Sequence, residues 1–220
     1  MSKLIVTGYS STIAKELFNI IDKTDLEIEC CGRGQDADQQ FDFAKFEDCK
    51  KFAEYVDKVR PDYLFLNHGY LPGKKLKEYD ETMLAGALNI NLVSLGIILE
   101  YIVQIPNINT VIMSSISGKA GSYDTMYAAT KAGVDVLVRS HALQVQEGSR
   151  INAISPGIIE DARMTTVRKD LDVLAAKKAK TPTKNFTSSK EIAELCKLML
   201  FTPGNMNGEN INVNGGMYIG

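Results

Sequence analysis

"KLIVTGYSSTIAKELFNII", residues 3–21, holds an apolar run, a turn and an amphipathic stretch in that order. Leu4 to Val6 are continuous enough for a buried strand, Gly8 opens the turn, and Ile13, Leu17, Ile20 and Ile21 recur at the spacing of one helix face. A strand that passes directly into a helix is the first half of a βαβ unit, so the fold depends on whether the pattern repeats.

It repeats along the chain. "LEIECCGR" (26–33) is a second strand, and "GQDADQQ" (34–40) leads almost at once into "QFDF" (40–43), a third strand with no room before it for the usual crossover helix. "KFEDCKKFAEYVDKVR" (45–60) is an amphipathic helix that Pro61 ends, and "DYLFLNHG" (62–69) is a strand closing on glycine. A long apolar helix over 79–105 follows, then the strand "NTVIMSSISG" (109–118), a second long helix over 123–146 and the strand "SRINAISPG" (149–157). The stretch from Ile158 to Thr187 is polar and weakly periodic, which suits a lid over a site. Ser188 and Glu191 have the spacing of a capping box for the next helix, and "GENINVNGG" (208–216) supplies a last strand. The reading is α/β: a Rossmann-like, doubly wound parallel sheet of about seven strands, lacking the helix between the second and third, in one domain spanning 1–220.

Composition narrows the function. The 220 residues are 45% hydrophobic and 24% charged, as in an ordinary globular domain. With 25 basic and 27 acidic residues the net charge is −2, and no basic run follows a phosphate backbone, so nucleic acid is not an expected partner. The first apolar run is too short for a signal-peptide core, and "LVSLGIILEYIV" (92–103) is shorter than the roughly 20 residues that span a bilayer. Cys30, Cys31, Cys49 and Cys196 form no CxxC pair and no metal-ligand spacing, so reduced thiols in a cytoplasmic protein with no metal are expected.

In a doubly wound sheet, ligands bind beyond the carboxyl ends of the strands. Asn67 and Gly69 follow one strand, Ser114 and Ser115 another, and Pro156 and Gly157 a third. "YAATK" (127–131) places Tyr127 and Lys131 on one helix face, where an ammonium would favour the ionised phenol and lower its pKa. That makes Tyr127 a candidate proton donor to a carbonyl or acceptor from an alcohol. The first turn is less regular. In "TGYSSTIA" (7–14) only Gly8 remains of the three glycines of a phosphate loop, with Thr12 and Ala14 in the other two places. Hydroxyls on Ser10, Ser11 and Thr12 and the helix N-terminus at Ile13 are the groups left to meet phosphate.

Eight motifs in order make the chain resemble the classical short-chain dehydrogenase/reductase family: "TGYSSTIA", "FDF", "NHG", "NINLVS", "SSISG", "YAATK", "INAISPG" and "INVNGG". The resemblance implies hydride transfer between a nicotinamide cofactor and a carbonyl or alcohol substrate. It gives Tyr127 the general acid/base role, Lys131 the nicotinamide ribose, Ser115 the substrate oxygen and Asn91 a relay water. Ser114 stays open as the alternative serine, and Asn91 as a plain capping residue. Asp42, Phe43, Asn67, His68, Gly69, Pro156 and Gly157 fall on the family's cofactor positions. Glu160 and Asp161 stand where a threonine is usual, so the contact there passes to the Ile159 backbone or to Thr165. Arg33, after the second strand, favours NADP(H) over NAD(H), since its forked donors suit a 2′-phosphate. The family pairs subunits through the two long helices, which implies a homodimer or homotetramer. The alternative function is a non-catalytic dinucleotide-binding sensor or scaffold of the same fold.

Overall fold

The computed structural model describes residues 1–219. Its seven strands are β1 (Ser2–Thr7), β2 (Leu26–Gly32), β3 (Gln39–Gln40), β4 (Tyr63–Leu66), β5 (Asn109–Met113), β6 (Arg150–Pro156) and β7 (Asn210–Val213). They form one sheet in the order β3-β2-β1-β4-β5-β6-β7, and every pairing is parallel. The order reverses between β1 and β4, and a crevice opens above their carboxyl ends.

The helices are α1 (Thr12–Ile20), α2 (Phe46–Val59), α3 (Glu81–Leu88), α4 (Ser94–Ile102), α5 (Ser117–Ala120), α6 (Thr125–Ala142), α7 (Arg163–Thr166), α8 (Leu171–Lys180) and α9 (Ser189–Phe201). One layer of core, with Phe52, Leu95, Ile98 and Val134, lies between the sheet and α2, α4 and α6. The other, with Leu17, Phe65, Ile192 and Leu200, lies under α1 and α9. Strands buried on both faces explain why their sequences read as apolar runs without alternation.

Three expectations change. The third strand is Gln39–Gln40, so "FDF" lies beyond it as the approach to α2; Asp42 accepts from the Ala44 N–H and makes a turn there. The long helix over 79–105 is broken by a π-turn at Asn89–Val93, and its regular part ends at Ile102. By length and composition Glu81–Ile102 suffices to cross a membrane; in the fold Leu95, Ile98, Leu99 and Ile102 are buried in the core. The polar stretch after Gly157 is not irregular, since it carries α7 and α8. Its two ends meet where the Glu160 N–H donates to the Thr187 carbonyl at 2.8 Å and the Thr187 N–H to that of Ile158 at 3.1 Å.

Candidate active site

Gly8 fixes one wall of the crevice. It has φ +61°, and a β-carbon there would lie 2.5 Å from the Asn67 carbonyl oxygen, so only glycine lets β1 turn this close to the end of β4. Asn67 closes the same turn, its amide donating to the Gly8 carbonyl at 3.0 Å and to the Ser11 hydroxyl at 2.7 Å. Ser11 is the N-cap of α1 and also accepts from the Ala14 N–H at 3.1 Å. With two bonds accepted, its own proton remains to donate. Thr12 also lines the cleft, and its hydroxyl is 2.6 Å from that of buried Ser189, tying α1 to α9. Ser10 is exposed at the tip of the turn.

The crevice widens into a cleft of about 1160 Å³ that runs from Arg33 and Asp42, past Gly8 and Ile13, to Ser115, Tyr127 and Lys131. Pro156, Gly157 and Ile159 line it as well, as do Tyr70, Leu71 and Met83. Arg33 is exposed. Beside it lies a pair that the sequence did not single out: the Tyr9 hydroxyl donates to Asp36 at 2.6 Å, placing a carboxylate on the same rim. Nothing in the spacing of residues 9 and 36 announces that contact.

His68 also lines the cleft. Its ring, 7% exposed, is stacked on Phe43 with ring centroids 4.0 Å apart. Nε2 is 2.9 Å from the Ser94 hydroxyl, which itself donates to the Ile90 carbonyl, and Nδ1 is 2.7 Å from the Thr7 hydroxyl. The set fits a neutral ring that donates from Nε2 and accepts at Nδ1. Burial, aided by the charge of Lys131, lowers its pKa to about 3.

At the other end, α6 presents Tyr127 and Lys131 on one face, both nearly buried. Burial pushes the Tyr127 phenol up to about 12, with only the Ser115 hydroxyl pulling it down. The sequence reading had Lys131 lowering it. Instead the Lys131 ammonium donates to the Met113 carbonyl at 2.7 Å and lies 5.8 Å from the Tyr127 ring centre. Burial lowers the lysine to about 8, against the opposing charge of Asp135. Both serines line the cleft; Ser114 donates to buried Asp135 at 2.7 Å, and Ser115 lies beside the Tyr127 phenol.

Asn91 is fully buried in the π-turn, and both ends of its amide hold the Tyr70 backbone at 2.7 Å. Gly69 sits between it and the lysine: a β-carbon there would be 3.6 Å from Asn91 Oδ1 and 4.0 Å from Lys131 Nζ. The two acids after Gly157 turn away from the cleft. Glu160 pairs with Lys178 at 2.7 Å, and Asp161 accepts from the Ser189 N–H at 2.8 Å. Thr165 lines a separate small groove between α7 and α8.

Residues 24–218 match the family described as enoyl-(acyl carrier protein) reductase. The chain is 30% identical over 172 residues to an acetoacetyl-CoA reductase of Synechocystis sp., covering 74% of this chain and 71% of that one. It is 34% identical over 114 residues to a 3-oxoacyl-acyl-carrier-protein reductase of Buchnera aphidicola, covering 50% of this chain and 45% of that one. The fold superposes on a crystal structure of an actinorhodin polyketide ketoreductase with NADPH at a TM-score of 0.80 and 19% identity, over 98% and 97% of the two chains. A parallel seven-stranded sheet with its cleft at the switch point, matched to reductases along most of its length, defines an oxidoreductase of the Rossmann-like class. The chain belongs to the short-chain dehydrogenase/reductase family.

Proposed function

We propose that the protein reduces the ketone of a small or medium-sized 3-oxoacyl compound with NADPH, and runs the reverse oxidation when the alcohol is in excess. The observation that carries this reading is that Ser115, Tyr127 and Lys131 line the same cleft as the Gly8 turn. The substrate class follows the names of the relatives, two of which are reductases of acyl thioesters.

The turn fits a dinucleotide diphosphate on three counts: glycine at φ +61°, the unpaired N–H groups of the α1 N-terminus, and the spare Ser11 proton. Arg33 suits the 2′-phosphate and Asp42 the adenine side. When bound, the dinucleotide supplies the hydride. Tyr127, held protonated at neutral pH by its high pKa, is in the form that gives a proton to the carbonyl oxygen. Ser115 donates a hydrogen bond to the same oxygen as negative charge develops on it. Lys131 supports the ribose and returns a proton toward Tyr127, with Asn91 and Gly69 shaping the path between the lysine and solvent. Residues 158–187 act as the lid, and the outer faces of α4 and α6, where Val136 is 53% exposed, pair subunits in a homodimer or homotetramer.

Acetoacetyl-CoA with NADPH, and separately with NADH, tests the reading. Dinucleotide oxidation that depends on Tyr127 supports it. Tight dinucleotide binding with no turnover on a panel of ketones, and no effect of Tyr127→Phe, would replace it with the sensor reading.

A further inference from the structure

Asp124 stands just ahead of α6, and its carboxylate is more heavily used than a helix cap requires. It is 2% exposed and accepts from the Tyr127 N–H at 2.9 Å, which is the capping bond. It also accepts from the Gly73 N–H at 3.0 Å and from the Tyr79 hydroxyl, at 2.7 Å to one oxygen and 2.8 Å to the other. Among the described residues it forms no ion pair. Three donors from two separate segments thus meet on one buried carboxylate, and such a group is costly to leave unmatched.

The two segments have different places in the cleft. The first turn of α6 carries Tyr127, while residues 70–79 begin with Tyr70 and Leu71, which line the same cleft. That loop is fastened at its start by Asn91, through the Tyr70 backbone, and toward its end by Asp124. We propose that Asp124 is a positioning residue that couples the substrate-side wall to the catalytic tyrosine, so that a carbonyl compound seated against residues 70–79 meets Tyr127 at a fixed offset. The inference rests on the reductase reading for the identity of what is seated; the coupling itself does not.

Asparagine separates coupling from simple capping. It is as good an N-cap as aspartate, and its carbonyl oxygen can still serve Tyr127 and Tyr79, but its NH2 stands where the second oxygen was and cannot accept from the Gly73 N–H. Amide hydrogen exchange on the intact protein, for wild type, Asp124→Asn and Tyr79→Phe, reads both segments. In Asp124→Asn, residues 70–79 should exchange about tenfold faster while the first turn of α6 keeps its protection to within about twofold. Tyr79→Phe should loosen the same loop and spare the helix. With acetoacetyl-CoA and NADPH as probes, the KM for the ketone should rise about tenfold in Asp124→Asn, with a smaller change in kcat.

Unchanged exchange in the loop, or equal loosening of loop and helix, would overturn the proposal. So would a loosened loop with an unchanged KM. If the wild-type protein does not reduce acetoacetyl-CoA, the reductase reading fails on that probe, and the exchange experiment still decides whether the two segments are coupled.

Discussion

Tyr127 and Lys131 occupy successive turns of one helix face, yet the lysine gives its hydrogen bond to the Met113 carbonyl and leaves the phenol to Ser115. The phenol is therefore held by burial in its acid form, which is the form a ketone reduction consumes. The lysine, brought down to about 8, sits close to the pH at which it can both take up and release a proton.

Removing that acid should affect chemistry more than binding. Tyr127→Phe should lower kcat by about 10²–10⁴-fold, while NADPH affinity from fluorescence titration stays within about twofold of wild type. A comparable loss of NADPH affinity would show that the phenol serves binding first.

The buried neutral His68 makes a prediction about acid stability. Its folded pKa of about 3 lies below the ordinary 6.5, so between those values the unfolded chain binds the extra proton. Its contribution is complete above pH 6.5 and declines as pH falls toward 3. Urea unfolding at pH 7 and pH 4.5 should therefore show roughly 2–3 kcal/mol of acid destabilisation in wild type that is missing from His68→Gln. Equal pH slopes for the two proteins would contradict the burial of a neutral ring.

Thr12 and Ser189 join helices 177 residues apart in sequence. A double-mutant cycle with Thr12→Ala and Ser189→Ala, read by chemical denaturation, should give a coupling of about 1 kcal/mol. Additive losses would mean that the hydroxyl pair is not a stabilising contact.

Cofactor selection should depend on the balance between Arg33 and the carboxylate that Tyr9 holds. Arg33→Gln should weaken NADPH about tenfold or more and barely change NADH. Asp36→Asn should move the ratio the other way by relieving repulsion of a phosphate. Isothermal titration with both dinucleotides measures the two ratios, and an Arg33→Gln protein with an unaltered ratio would point to NAD(H).

The alternation of apolar runs and amphipathic stretches made the sheet legible because parallel strands buried on both faces cannot hide their composition. Tyr127 and Lys131 were legible because four residues is one helical turn. What could not be read were contacts made by single long-range hydrogen bonds: Thr12 with Ser189, Tyr9 with Asp36, and Asp124 with Gly73 and Tyr79. None of these leaves a periodic trace. The phenol pKa was misread for a related reason. Sequence spacing places a lysine near a tyrosine, but only the packed structure shows that burial raises the phenol and that the ammonium points at a carbonyl.

The shortness of β3 has a consequence for the protein at high concentration. Strand edges recruit other chains by offering rows of unpaired N–H and carbonyl groups, and a strand of two residues, Gln39 and Gln40, offers almost none. Because β3 meets β2 only at Cys31 and Gly32, the outer edge of β2 from Leu26 to Glu29 has no strand beside it among the described residues. Protection of this margin against an added strand therefore falls to the charges along it, where Glu27 and Glu29 pair with Lys3.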